Sequence, residues 1–243
     1  VKTKSKTKCK KAVLDIWKVK LVVQEHLVKQ AQTILCSEER KRADRLLSAR
    51  AKCRFILAHA ASRIILSRYL GIDAKRVVIK PGKNGKPGLS GAAARTGICF
   101  NLSHSADIAL VGISENRDIG IDIEQVRPVF SMDKICRRFF AESEIRMLAS
   151  APEDMRTGLF FRLWTMKEAF LKAEGKGLQG LFRMPPIIGD AGITGFLNDP
   201  WKTFSLSASG RTWTVIPFCP APGYSAAVVL SGKEPYDMVV RDL

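Results

Sequence analysis

FNLSHSADIALVGISENRDIGIDIE, residues 100–124, alternates strand-forming apolar residues with polar ones that a plain core hairpin would not need. Strands are expected at about 98–102, 108–113 and 119–123, with a turn at SENRD. In a strand, Asp122 and Glu124 are two apart and share a face, while Ile121 and Ile123 take the other. An edge strand with its polar face in water explains that spacing. So does a magnesium site, if a third oxygen ligand and an anionic substrate are present. Ser103 and His104 are adjacent, so they face opposite ways and are poorly placed as nucleophile and base. No GxSxG elbow occurs in the chain.

Outward from this stretch, residues 13–21 read as a strand and residues 49–70 as a helix. Phe55, Ala58, Ser62, Ile65 and Tyr69 form that helix's stripe, and Gly71 stops it. Ser37 followed by Glu38 and Glu39 marks another helix start. A strand is expected at 76–80, then the loop PGKNGKPG. After residue 124 come two short helices, MDKICRRFF and ESEIRML, and a long one from about 152 to 174 ended by GKG. WKTFSLSA, TWTVIPF and YSAAVVL return to strand pattern. Each half therefore runs strand, helices, strands. This implies an α+β chain of two similar α/β halves, 12–117 and 118–243, behind a basic tail at 1–11.

The chain has 243 residues and a formal net charge of +17, from 40 Lys and Arg against 23 Asp and Glu. Such a field attracts nucleic acid, phosphate-rich cofactors, anionic lipid or an acidic protein, and charge alone does not choose. No apolar run reaches the roughly 18 residues of a membrane helix, and no secretory signal follows the N-terminal lysines. Six scattered cysteines form no CxxC pair, which argues against a zinc ribbon or disulfide scaffold and suits a reducing cytoplasm.

Further candidates lie elsewhere. In FRLWTMKEAFLKAEGKG, Glu168 and Lys172 are i and i+4 on one helix, with Trp164 a turn before; a surface ion pair has the same spacing. PGKNGKPG lacks the P-loop pattern but carries Lys83 and Lys86 on a glycine-relaxed turn, able to approach a phosphate or simply to face water.

The order of these weak signals is specific where each alone is not. GKP at 85–87, FNLSHS at 100–105, GIDIE at 120–124, FFAESE at 139–144 and WTMKEAFLKAEGKG at 164–177 together resemble the surfactin-type 4′-phosphopantetheinyl transferases. The resemblance spans roughly residues 37–180.

It implies a pseudo-twofold monomer that moves the 4′-phosphopantetheine arm of coenzyme A to a serine of an apo acyl or peptidyl carrier protein. The product would be adenosine 3′,5′-bisphosphate. Asp122, Glu124 and Glu168 would hold Mg2+, or Mn2+, which neutralises charge at the breaking bond. Ser103 and His104 would face the phosphates, and Lys172 the leaving group. Lys83 and Lys86, with Pro87, would grip the nucleotide end, and Asn101 and Lys167 would also line the coenzyme site. Arg50, with Arg42 or Arg54, is the candidate for the 3′-phosphate. Glu168 is the expected base, with Lys167 and His104 as alternatives. Residues 132–140, with Lys134, Arg137 and Arg138 beside Ile135, Phe139 and Phe140, read either as a surface that docks the carrier or as a small helix packing Phe139 and Phe140 inward with its charges in water. Two rival classes remain: a nucleic-acid-binding module, in which the ordered acids would repel phosphate, and a metal-dependent nucleotide phosphohydrolase. The resemblance implies neither nucleic acid nor membrane as partner.

Overall fold

The computed structural model describes residues 12–82, 85–177, 180, 184–188, 199 and 201–243. The lysine tail and Lys83 lie outside them. In chain order the elements are β1 (Ala12–Lys20), α1 (Glu25–Gln32), α2 (Ser37–Asp44), α3 (Ala49–Leu70), β2 (Ile79–Pro81), β3 (Pro87–Leu89), β4 (Ile98–Ser105), β5 (Ile108–Glu115) and β6 (Ile119–Gln125). Then follow α4 (Met132–Phe139), α5 (Glu142–Ser150), α6 (Glu153–Glu174), β7 (Phe204–Ala208), β8 (Arg211–Phe218), β9 (Tyr224–Ser231) and β10 (Tyr236–Asp242).

Two four-stranded sheets form, ordered β10-β1-β5-β4 and β6-β9-β8-β7, with β2 and β3 as a separate pair. They stack face to face. The inner layer holds Leu14, Ile16 and Leu110 from one sheet, and Ile119, Ile121, Ile123, Val228 and Leu230 from the other. On the outer face of the first sheet, Ala58, Ala61, Ile65 and Leu66 of α3 meet Phe100, Ala109, Val111 and Ile113. On the outer face of the second, Leu163, Met166, Phe170 and Leu171 of α6 meet Trp213, Val215, Ala227 and Val229. The layers are helix, sheet, sheet, helix, and the mixed helix and sheet content is that of the expected α+β fold.

Local chemistry sets the boundaries of the two long helices. Ser48 Oγ accepts the Ala51 N–H at 3.4 Å at the start of α3, and Gly71 ends it at φ 64°. Gly175, at φ 70°, ends α6 the same way. The strand expected at 76–80 is shorter. Asp73 accepts the Lys75 N–H at 2.7 Å and winds residues 74–76 into a 3-10 turn, so pairing begins only at Ile79. The strand at 236–242 has no counterpart in the sequence reading. It returns from the end of the chain to pair in parallel with β1.

Candidate active site

The site forms along one side of the packed sheets, where the edge strands β4 and β6 come together. β6 pairs with β9 on one side only, and its other edge lies against β4, the edge strand of the first sheet. An unpaired strand edge needs partners for its N–H groups. Here side chains of FNLSHS supply them. Asn101 Oδ1 accepts the Ile121 N–H at 3.0 Å, and Ser105 Oγ accepts the Gln125 N–H at 3.1 Å. Ser103 Oγ donates to Asp122 Oδ1 at 2.9 Å, and Ser105 Oγ donates to Glu124 Oε2 at 2.7 Å. The alternate polar residues of β4 are thus a seam joining the halves. Asn101, expected at the coenzyme, is buried in that seam.

The other side of β6 faces α6. Gly120 makes this approach possible: a Cβ there would sit 2.0 Å from the Ala169 carbonyl and 2.4 Å from the Ala173 nitrogen. With the helix this close, Glu168 and Lys172 come to the two acids of β6. Lys172 Nζ donates to Asp122 Oδ1 at 2.6 Å, to Ser103 Oγ at 2.9 Å and to the Ile121 carbonyl at 3.2 Å. Asp122 Oδ2 and Glu168 Oε1 are buried and find no hydrogen-bond partner among the described residues.

Electrostatics follow from that crowding. Burial, then the charge of Asp122 and further that of Glu124, push the Glu168 carboxyl up to about 7 despite Lys172. Burial also raises Glu124, against the opposing hydrogen bond from Ser105. Acids that repel one another and leave buried oxygens unmatched are suited to a hard divalent cation, which prefers oxygen ligands. Asp122, Glu124 and Glu168 therefore fit magnesium by donor chemistry. Among the described residues no three acidic, His or Cys side chains are closed up as a metal cluster; Lys172 holds Asp122 instead.

His104 lies on the opposite face of β4 from Ser103, toward α3. Burial, then the nearby charges of His59, Lys172 and Arg54, lower its pKa. Lys86 Nζ donates to the Ala173 carbonyl at 2.8 Å and lies 3.8 Å from Asp118, so it reaches across to the end of α6. Pro87 opens β3 and is exposed. Arg50 and Arg54 both pair with Asp107, and Arg42 lies over the Phe55 ring at 5.4 Å. An open cavity of about 400 Å³ is lined by Arg50, Arg54, Ser105, Asp107, Gln125 and Arg127. Lys167 is elsewhere. Its ammonium is fully buried, 2.8 Å from Glu144 and 5.5 Å from the centre of the Phe140 ring. Burial lowers its pKa against the opposing pull of Glu144.

The sequence reading did not single out His59, which pairs with Glu39, or Arg127, which lines the cavity. His59 follows Phe55 by one turn of α3, and that i, i+4 spacing was its available signal. Arg127 had none, because it follows β6 in a loop.

Residues 118–226 match the 4′-phosphopantetheinyl transferase superfamily. The chain is 33% identical over 219 residues to the 4′-phosphopantetheinyl transferase HetI of Nostoc sp., covering 90% of this chain and 88% of that one. It is 34% identical over 154 residues to psf-1 of Bacillus pumilus and 32% identical over 146 residues to Sfp of Bacillus subtilis. These last two alignments each cover 62% of the relative, under two thirds of its length. With motifs, seam and relatives in agreement, the chain belongs to the 4′-phosphopantetheinyl transferase family of enzymes.

Proposed function

We propose that this chain transfers the 4′-phosphopantetheine arm of coenzyme A to a serine of an apo acyl or peptidyl carrier protein, releasing adenosine 3′,5′-bisphosphate. The observation that carries the reading is the convergence of Asp122, Glu124, Glu168 and Lys172 at the seam, with two buried carboxylate oxygens left unmatched. Asp122, Glu124 and Glu168 would hold Mg2+, or Mn2+. Bound there, the ion supplies positive charge to the pyrophosphate as its bond breaks.

The chain's own groups do the rest. Lys172 exchanges Asp122 for the leaving phosphate and donates to its oxygen. His104, Ser103 and Lys86 bind phosphate oxygens from the first half, and Arg50 and Arg54 turn from Asp107 toward the 3′-phosphate. Glu168 Oε1 accepts the proton of the carrier serine, whose oxygen then attacks phosphorus. The attacking hydroxyl belongs to the partner, so no nucleophile is needed here. Residues 12–117 thus bind the coenzyme and residues 118–243 supply the metal ligands. Among the described residues no helix is long and apolar enough to cross a membrane, and the five described cysteines are free. Free thiols of this kind suit a reducing cytoplasm.

The test is mass spectrometry of an apo carrier protein incubated with the chain, coenzyme A and magnesium. The expected result is the mass of one phosphopantetheine arm on the carrier, abolished by a chelator. Release of phosphopantetheine without any carrier would overturn the reading in favour of a hydrolase.

A further inference from the structure

The two four-stranded sheets have four edges. β4 and β6 cover one another at the seam, which leaves β7 and β10 each with one side that no strand pairs among the described residues. β10 is the longer, seven residues against five. Exposed strand edges are ordinarily blunted by lysine, proline or a bulge. The sequence YDMVVRD has no lysine or proline, and its register against β1 runs unbroken. In a chain with 40 Lys and Arg against 23 acids, it holds one arginine and two aspartates. Val239 and Val240 on it are 37% and 49% exposed.

The backbone decides which groups are open. Leu243 N–H donates to the Lys18 carbonyl at 3.1 Å, and the direction of N–H and C=O alternates along a strand. Arg241, Val239 and Asp237 therefore bond toward β1, while Tyr236, Met238, Val240 and Asp242 present their backbone groups outward. Two such edges can pair antiparallel about a twofold axis at Val239. Met238 then exchanges hydrogen bonds with Val240 of the other copy, and Tyr236 with Asp242. Val239 meets itself, and Asp237 meets Arg241 twice. These last pairs take non-hydrogen-bonded positions, where Cα atoms are about 4.5 Å apart and opposite charges attract across the strands. Moving the axis one residue either way takes Asp237 off Arg241.

The arginine is already aimed. Asp237, Val239 and Arg241 share a face with Val13, Asp15 and Trp17 of β1. Arg241 Nε and Nη2 each lie 3.2 Å from Asp15 Oδ1, and the guanidinium is 5.9 Å from the centre of the Trp17 ring. A guanidinium has five donors, so Asp15 does not exhaust it. A carboxylate accepts at about four positions, so Asp237 keeps the interaction it makes in its own chain.

We propose that two copies of this chain associate through β10 in that register, joining their first sheets into one. This departs from the monomer that the family resemblance implies, and it does not rest on the transferase reading. β4 lies at the opposite edge of the same sheet, so both seams stay open in the pair.

The test is sedimentation equilibrium of the full chain between about 1 and 200 µM, because one strand pair is a small interface and its Kd should be on the order of 10 µM. Wild type is expected to move from 26.9 kDa toward twice that mass. Val240→Pro removes an outward N–H and spares the ladder to β1. Asp237→Lys sets like charges opposite one another. Each should weaken association by about tenfold or more while keeping the native Tm. Amide exchange of the wild type needs no variant: Met238 and Val240 should be protected only at high concentration, and Val239 and Arg241 at both. A single monomer mass at every concentration overturns the inference. So does a dimer that survives either substitution in folded protein, or exchange at Met238 and Val240 that ignores concentration.

Discussion

Glu168 shows how a site can be built against stability. Its carboxyl is buried beside Asp122 and Glu124, with Oε1 unmatched, and that crowding costs free energy in the metal-free protein. Glu168→Gln should therefore raise Tm in chelator, by about 2–4 °C for each 1 kcal/mol relieved, while removing most transfer activity. Paired thermal melts and carrier-loading assays check it; a lower Tm would mean that the acid is already compensated. Asp122→Ala should also lose most activity, and the double variant should be little worse than either, since residues that act as a unit are strongly non-additive. Glu39 illustrates the opposite case. Burial opposes its ionisation, but hydrogen bonds from His59, Arg63 and the Cys36 N–H outweigh it and hold the carboxyl near about 2, below the ordinary 4.5. A group depressed in the folded state contributes stability that is complete above about 4.5 and is lost as pH falls toward 2. Glu39→Gln should accordingly cost on the order of 2 kcal/mol at neutral pH, after partial solvent screening, and flatten the acid limb of stability. Urea titrations at several pH values between 2 and 5 read both effects.

Between elements, the decisive contact is that of β6 with α6. Gly120 lets them touch, and the atoms a Cβ would strike are helix backbone, which cannot swing aside. Gly120→Ala should destabilise by about 2–3 kcal/mol through overpacking. It should also lower activity beyond that loss, because Glu168 and Lys172 ride on the displaced helix. An alanine variant with native Tm and full turnover would show that the helix can shift freely. Such close packing explains what the sequence could and could not disclose. The alternation in residues 108–124 and the glycines after α3 and α6 are local signals, so both helices and β4 to β6 were readable. The pairing of acids with α6 was readable only through family motifs, because no spacing reveals that residue 120 meets residue 169. The edge contact of β4 with β6 lies between two sheets, and alternation says nothing about which edges meet. The parallel strand β10 joins residue 12 to residue 236 across the whole chain, beyond any local pattern. Lys167 is a different case. It shares helical phase with Leu163, Phe170 and Leu171, an apolar stripe that carries its side chain into the core. Its partner Glu144 sits one element back, capping α5 at the Ala141 N–H and holding the Ile187 N–H at 2.7 Å.

At the scale of the whole molecule the halves are tied at both ends. β10, from the end of the second half, completes the first sheet, and Arg117 grips the carbonyls of Ser231, Gly232 and Glu234 on the way to it. A body joined in this way presents its charge as one field, and that field is strongly positive. The proposed carrier partner is expected to be acidic around its serine, so attraction should concentrate where basic and apolar surface coincide. α4 is such a place. Cys136 is buried, Phe139 packs edge-on against Trp164 with centroids 5.8 Å apart, and Phe140 stacks on Phe160 at 5.5 Å. With these rings anchoring the helix, Lys134, Arg137 and Arg138 are left on its exposed side, and Phe130 just before it is 94% exposed. Apolar residues would give contact area there, and charges would steer the encounter. Reversing both Arg137 and Arg138 to Glu should raise KM for the carrier by about tenfold or more at low salt, since like-charge contacts penalise binding. The KM for coenzyme A should not change, because α4 is remote in sequence and element from the residues assigned to it. Steering is screened beyond a Debye length of roughly 8 Å at physiological ionic strength, so the gap between wild type and variant should narrow as salt rises. Carrier-loading kinetics at two salt concentrations give all three quantities. An unaltered carrier KM at low salt would place the docking surface on another face, the apolar hollow lined by Leu21, Val22, Val23 and Tyr224 being the next to test by the same charge-reversal logic at Lys20.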